Sequence, residues 1–277
     1  MRISTVIPTY NRWPTVSRAV RSVLGQDLQA AEVIVVDDGS NDGSAANLER
    51  EFGSRIRVLR QDNRGVSAAR NTGIRASSEP WIALLDSDDE WHPDKLNVQI
   101  HALQQEPDMR FCHCDEIWIR HGVRVNPMKK HAKHGGEIFA RCLPLCAITP
   151  SSVLIHHSVF ERVGLFDESL PACEDYDFWL RCCAQYPVLY VAQQLLTRYA
   201  GHDDQLSRRF WGMDRFRVRS LSRLIIGGEL NDGQRDMAKE QLALKLTVLK
   251  QGALKHGNRE LLLELASIQR RLLQSSQ

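Results

Sequence analysis

The chain predicts an α/β fold built on a mainly parallel, Rossmann-like sheet. Three observations carry that reading. Short β-branched runs alternate with segments of helical period, each run stops at a polar cluster, and those clusters hold many of the carboxylates. In open sheets of this kind ligands bind outside the carboxyl ends of the strands, so the clusters should share one rim.

In order, Ile3 to Ile7 reads as a strand stopped by Pro8, and Thr9 to Arg12 as a polar turn. Pro14 then suits the first turn of a helix reaching Gln26, with Val16, Val20, Val23 and Leu24 on its apolar face. Val33 to Val36 is a second strand, β-branched throughout and so buried on both faces. It ends in Asp37-Asp38-Gly39-Ser40, ahead of a helix from Gly43 to Phe52. A third strand, Ile56 to Leu59, leads through Asn63 to Gly65 into a helix of small residues. The fourth, Trp81 to Leu85, is too short for a helix and runs into Asp86, Ser87, Asp88 and Asp89. Extended alternation there puts Asp86 and Asp88 on one side and Asp89 on the other. Clustered like charges favour a cation between them, and hard oxygen donors suit Mg²⁺ or Mn²⁺. The plainer reading is a polar turn capping the helix that Pro93 opens.

Phe111 to Ile119 is a further strand, with His113 and Asp115 on one side. Residues 120–136 form a polar, basic surface loop, for which a lid or acceptor role and a solvated loop both stay open. Glu174, Asp175 and Asp177 open an apolar helix, where negative charge meets the positive end of the helix dipole. Val188 to Ala192 reads as a last strand. Residues 208–223 are basic with interleaved aromatics, fitting either an anionic membrane surface or, preferably, the domain's own core. Two amphipathic helices, 234–255 and 258–274, join through Gly257 with Asn258 as N-cap; they should dock on the preceding domain or pair two protomers.

The totals exclude several classes. At 277 residues and a net charge of +2, the chain is no general nucleic-acid binder. Seven cysteines without a CxxC pair point to reduced thiols and a cytoplasmic setting. No signal-peptide pattern and no 18-residue apolar run is present, so the reading is soluble, with at most a peripheral contact at the inner face of the membrane. Neither GxGxxG after the first strand nor GxxxxGK[ST] occurs, which disfavours dinucleotide and P-loop enzymes.

The segments VIPTYNR, VVDDGSNDGS, NRGVSAARNTGI and LLDSDDEWHPDKL, in that order, resemble glycosyltransferase family 2 with the GT-A fold. The resemblance implies an inverting, metal-dependent enzyme using a nucleoside-diphosphate sugar, a UDP-sugar by default, with Mn²⁺ or Mg²⁺ as cofactor. It implies that Pro8, Thr9 and Tyr10 line the base pocket and that Asp38, with Asp37 nearby, meets the base or ribose. Arg70 would flank the nucleotide, Asp86 and Ser87 the ribose and metal shell, and Asp88 would hold the metal on the diphosphate; the role of Asp89 stays open. The ITPSS, GLFDE and EDYDFWLR stretches extend the match and imply Asp175 as general base with Glu174 orienting the acceptor. Thr197 to Ser207 resembles the family's closing stretch more loosely, with His202 as third metal ligand.

The organisation expected is a GT-A domain over 1–207, divided into a nucleotide-sugar half (1–92) and an acceptor half (93–207), and a C-terminal helical region over 208–277. The partners expected are a nucleotide-sugar donor and a saccharide or lipid-linked saccharide acceptor, in glycan or polysaccharide biosynthesis, with a homodimer through the C-terminal helices left open. The rivals are a non-catalytic sugar-nucleotide binding module and a sugar nucleotidyltransferase; the latter needs a Gly-rich basic loop after the first strand that PTYNRW does not supply. A glycoside hydrolase also uses two carboxylates but has no need of Asp38 or Arg70.

Overall fold

The computed structural model describes residues 1–201 and 210–274. Its centre is a nine-stranded mixed sheet. Strands β1 (Ile3–Thr9), β2 (Glu32–Asp37), β3 (Arg57–Arg60) and β4 (Trp81–Leu84) form the parallel half, in the order β3-β2-β1-β4. Helices α1 (Thr15–Leu24), α2 (Ser44–Phe52) and α3 (Val66–Ala76) connect them. Beyond β4 the order continues β8 (Val153–His156), β6 (Phe111–Arg120), β9 (Leu189–Ala200) and β5 (Glu90–Trp91). Strand β7 (Val123–Val125) pairs with β6 as a hairpin. Strand β8 is antiparallel to both β4 and β6, so the sheet changes direction beside the acidic end of β4.

Alternation along the strands feeds two cores. Val6, Ile82 and Leu84 face one side, while Ile3, Ile7, Val33, Val35 and Ala83 face the other. The first core is capped by α5 (Phe139–Cys142), α6 (His157–Val163) and α7 (Glu174–Gln185). It runs on without a break into α8 (Asp214–Ile226), α9 (Asp232–Lys255) and α10 (Arg259–Gln274) through Phe216, Leu221, Leu242, Leu246, Leu261 and Leu265. The C-terminal helices therefore dock on their own chain. Asn258 caps α10 by accepting the Leu261 amide at 3.0 Å. In the basic segment Phe216, Val218 and Leu221 face inward while Trp211 stays 56% exposed, and Arg217, Arg219 and Arg223 pair with Asp214, Glu264 and Asp167. Those arginines are neutralised by the chain itself. No helix among the described residues is long and apolar enough to cross a membrane.

Four local expectations need correction. Strand β1 does not stop at Pro8 but pairs through Thr9, opposite Asp37. Val6 accepts the Leu85 amide and Thr9 accepts the Asp38 amide, so Pro8 faces the β4 side after that strand has turned away, and its missing N–H costs no ladder bond. The helix after Pro93, α4 (Lys95–Gln105), starts two residues later, because Glu90 and Trp91 first pair with β9. Register shifts on either side of Asp115 break simple alternation in β6. As a result Glu116, not Asp115, joins His113 beside Lys133. Finally, the basic stretch 120–136 is built structure: the β7 hairpin, a turn at Lys129–His131 and a bridge from Gly136 to Val188.

Candidate active site

The register places Thr9 beside Asp37, and Val6 beside Leu84, at the carboxyl ends of three adjacent parallel strands. Thr9/Tyr10, Asp37/Asp38 and the Asp86–Asp89 turn therefore occupy one rim. Pro8 and Thr9 are buried, whereas the Tyr10 ring is 45% exposed. Asp37 accepts the Ser40 amide at 3.0 Å. Asp38 accepts from Gln61 Nε2 at 2.7 Å and from the amides of Arg64 and Gly65 at 3.0 and 2.8 Å. Its carboxylate pins the loop that leads into α3. That helix lies close on the sheet because Gly73 faces Val6, where any Cβ would collide.

The acidic residues after β4 form a turn rather than an extended run, since the Asp89 amide returns to the Asp86 carbonyl at 3.0 Å. Asp86 and Asp88 stay partly open, with side chains 27% and 22% exposed, and Ser87 and Asp89 are buried. Arg12 lies 3.7 Å from Asp88. Ser151 locks the turn: its hydroxyl donates to Asp89 Oδ2 at 2.6 Å and accepts the Asp86 amide at 3.1 Å. The Tyr199 amide donates to Asp89 Oδ1 at 3.1 Å. Burial, reinforced by Asp88 and Asp86, raises the Asp89 carboxyl well above the ordinary carboxylate range, and Arg198 and Ser151 pull it back only in part. Behind the turn, the Trp91 indole donates to the Ser151 carbonyl, and Gln99 Nε2 to the Ser152 carbonyl, both at 2.8 Å. Lys95 sits 4.1 Å over Trp91 and donates to Gln99 at 2.7 Å; it is fully buried, and burial lowers it to about 8.

Arg70 joins this rim to the second acidic group. It is 3% exposed, and its guanidinium donates to Asp86 at 2.6 Å and to Glu174 at 2.8 Å. Burial opposes its charge, but the two carboxylates outweigh that and strengthen its protonation. Glu174 is raised by burial first and then by its neighbour Asp175, with Arg70 opposing both. Glu174 and Asp175 open α7 just after Cys173, whose φ of 62° is left-handed.

Asp175 is partly exposed and lines a cleft with Trp118, His131, Lys133, Thr149 and Arg198. One Asp175 oxygen accepts the Tyr176 amide at 2.7 Å. Lys133 Nζ lies 3.3 Å from buried Glu116, which also accepts from the Trp118 indole at 2.7 Å and from Thr149 at 3.1 Å. Burial pushes the Glu116 carboxyl up, but Lys133 and Arg198 reverse this and hold it low.

The structure thus brings ten of the twelve residues singled out by sequence to one rim and its continuation: Pro8, Thr9, Tyr10, Asp37, Asp38, Arg70, Asp86, Ser87, Asp88 and Glu174, with Asp175 beside the last. His202, the twelfth, lies outside the described residues. Glu116, Trp118, Lys133, Ser151 and Arg198 escaped that reading. Ser151 lay inside the ITPSS stretch, Arg198 inside Thr197 to Ser207 and Lys133 inside the basic loop 120–136, but none was assigned a role, and Glu116 and Trp118 left no signal. Among the described residues no three His, Cys, Asp or Glu side chains converge as metal ligands.

A mainly parallel sheet flanked by helices, with acidic groups gathered at its carboxyl rim, defines the GT-A class of glycosyltransferase. The comparisons give the family. The glycosyl transferase family 2 model matches residues 4–164, and a glycosyltransferase-like family 2 model matches 128–223. The chain belongs to glycosyltransferase family 2. It is 28% identical over 213 residues to an uncharacterised glycosyltransferase of Rickettsia felis, covering 75% of this chain and 35% of that protein. It is 31% identical over 203 residues to WcaA of Escherichia coli K12, a glycosyl transferase named for colanic acid biosynthesis, covering 66% and 67%. The chain thus spans about a third of the Rickettsia relative and two thirds of WcaA. Among solved structures it is similar to Staphylococcus aureus TarS 1–349 in complex with UDP-GlcNAc, at a TM-score of 0.79 and 16% identity, over 99% of this chain and 81% of that one.

Proposed function

We propose that the cleft transfers a sugar from a UDP-sugar to a saccharide hydroxyl with inversion, in polysaccharide biosynthesis, and that Asp175 is the general base. The observation that carries this reading is the buried Arg70 bridge, which ties Asp86 on the nucleotide rim to Glu174 next to Asp175. Complexes of TarS with UDP-GlcNAc and with UDP support the choice of nucleotide, and WcaA supports the pathway class.

In this reading the exposed Tyr10 ring stacks on the base, and the loop pinned by Asp38 shapes the pocket around it. The acceptor hydroxyl gives its proton to the Asp175 carboxylate while its own oxygen bonds to the anomeric carbon. The bond from that carbon to the diphosphate breaks, and its electron pair leaves on the diphosphate. A single base on one face makes this one displacement with inversion, and such a base contributes about 10²–10⁴-fold. Asp86 and Asp88 are hard oxygen donors at an open edge, a set that fits Mg²⁺ or Mn²⁺ completed by phosphate and water oxygens. That ion, held by Asp86 and Asp88, would supply positive charge for the departing diphosphate. Arg70 holds the Asp86 carboxylate in place, and Glu174 takes its place beside Asp175 through the same guanidinium.

The test is a panel of UDP-hexoses with Mn²⁺ and mixed saccharide acceptors, reading UDP release. Acceptor-stimulated release is expected from the wild type, and Asp175→Asn should lose at least about 100-fold of it while UDP affinity moves less than threefold. Equal loss of binding and turnover would remove Asp175 from the role of base.

A further inference from the structure

Beyond Asp175 the cleft presents a wall, a set of unspent donors and a closed charge balance. The wall is the half-buried Trp118 indole, fixed in orientation by its hydrogen bond to Glu116. Arg198 lies over that ring at 5.3 Å, and its side chain is 37% exposed. Its one ion pair, to Glu116, is at 4.0 Å, and among the described residues it donates no hydrogen bond. A guanidinium carries five N–H donors in a rigid fork, and here they are available to a ligand.

The other groups lining the cleft are committed. Lys133 spends its ammonium on Glu116, the Ala147 carbonyl and the Thr149 hydroxyl. Burial, and then Lys130 and Lys133, keep His131 in its neutral form. Lys133 and Arg198 therefore balance Asp175 in the lining and the buried Glu116 directly behind it, leaving the cleft neutral with that carboxylate counted. The positive charge of Arg198 is already shared among Glu116, Asp89, Asp175 and Asp86. An anionic ligand would enter facing those carboxylates with no cation left to neutralise it. A sugar ring without charge suits the same groups: its C–H face packs on the indole, neighbouring hydroxyls accept from the guanidinium fork, and a third donates to Asp175.

We propose that Trp118 and Arg198 form the acceptor subsite and that the unit it takes is an uncharged sugar ring, not a uronic acid or a sugar phosphate. This deepens the transferase reading and rests on Asp175 as base. The test uses the full chain with UDP present and follows the Trp118 indole NMR signal, one of six tryptophans, assigned through Trp118→Phe. The probes are methyl glucoside, methyl galactoside and methyl N-acetylglucosaminide, with methyl glucuronide and glucose 6-phosphate as charged counterparts. At least one neutral glycoside should shift the signal and bind at least fivefold more tightly than the charged probes. Its affinity, measured calorimetrically in the variants, should fall at least tenfold in Trp118→Ala and in Arg198→Met, and less than threefold in Trp118→Phe. Tighter binding of a charged probe, an unmoved indole signal with every neutral glycoside, or full affinity in both truncating variants would each overturn the proposal. Failure of the wild type to bind UDP would instead refute the nucleotide-sugar reading, so the two failures are told apart.

Discussion

Replacing Arg70 by methionine keeps most of the side-chain volume and removes the charge between Asp86 and Glu174. Both partners lie within 2.8 Å of the guanidinium, and Glu174 is only 7% exposed. Removing one partner of a buried pair costs about 3–5 kcal/mol, because the other is left charged in a poor solvent. For a chain of this size each kcal/mol moves Tm by about 2–4 °C, so a fall of about 10 °C is expected. The pH dependence gives the sharper signature. In the wild type Glu174 already titrates above the ordinary range, through burial and then Asp175, with Arg70 opposing. Without Arg70 it rises further. A carboxyl whose folded pKa exceeds its unfolded value binds its proton more tightly in the folded state, so stability is recovered as pH falls through the folded pKa. The deficit of Arg70→Met should therefore be largest at pH 8 and shrink toward pH 5, and Glu174→Gln in the same chain should recover at least half of it. Urea unfolding at pH 5, 6.5 and 8 reads this directly. A deficit below 1 kcal/mol, or one independent of pH, would show that the bridge is not holding the two acidic groups together.

Three further outcomes are expected. Ser151→Ala strands Asp89 and the Asp86 amide, and should cost about 2 kcal/mol while weakening UDP binding in Mn²⁺; unchanged affinity would mean the turn holds its shape without that hydroxyl. Asp88→Ala should abolish the EDTA-sensitive part of UDP affinity at least tenfold, measured calorimetrically, and an undiminished response to EDTA would exclude Asp88 as a metal ligand. Lys95→Met should raise stability at pH 7 by about 2 kcal/mol, the burial penalty on the charge less the lost Gln99 bond. Burial lowers Lys95 to about 8, so the wild type sheds its proton and this penalty as pH rises past 8, and the advantage should vanish near pH 10. A methionine variant that is less stable at pH 7 would contradict this.

The parallel half of the fold was legible because its strands are short apolar runs closed by polar turns, acidic after β2 and β4, a pattern set by local sequence. The rim followed from topology alone once those turns were assigned to strand ends. Harder to read were contacts whose partners lie far apart in the chain. Ser151 meets Asp89 across 62 residues and Arg70 meets Glu174 across 104, and neither pairing leaves a periodic trace. Lys133 looked like one charge among several in a basic stretch, and only the register shifts in β6 turn Glu116 toward it. Strand β5 is two residues long, too short for any periodicity to reveal.

The claim on which the rest depends is that the nucleotide rim and Asp175 open into one cleft. A crystal of the full chain soaked with UDP and Mn²⁺ tests it most directly. The uracil is expected against Tyr10, the diphosphate and its cation against Asp88, and the Asp175 carboxylate across the cleft with open solvent between. UDP seated away from the ends of β1, β2 and β4, or a cation out of reach of Asp88, would contradict the account.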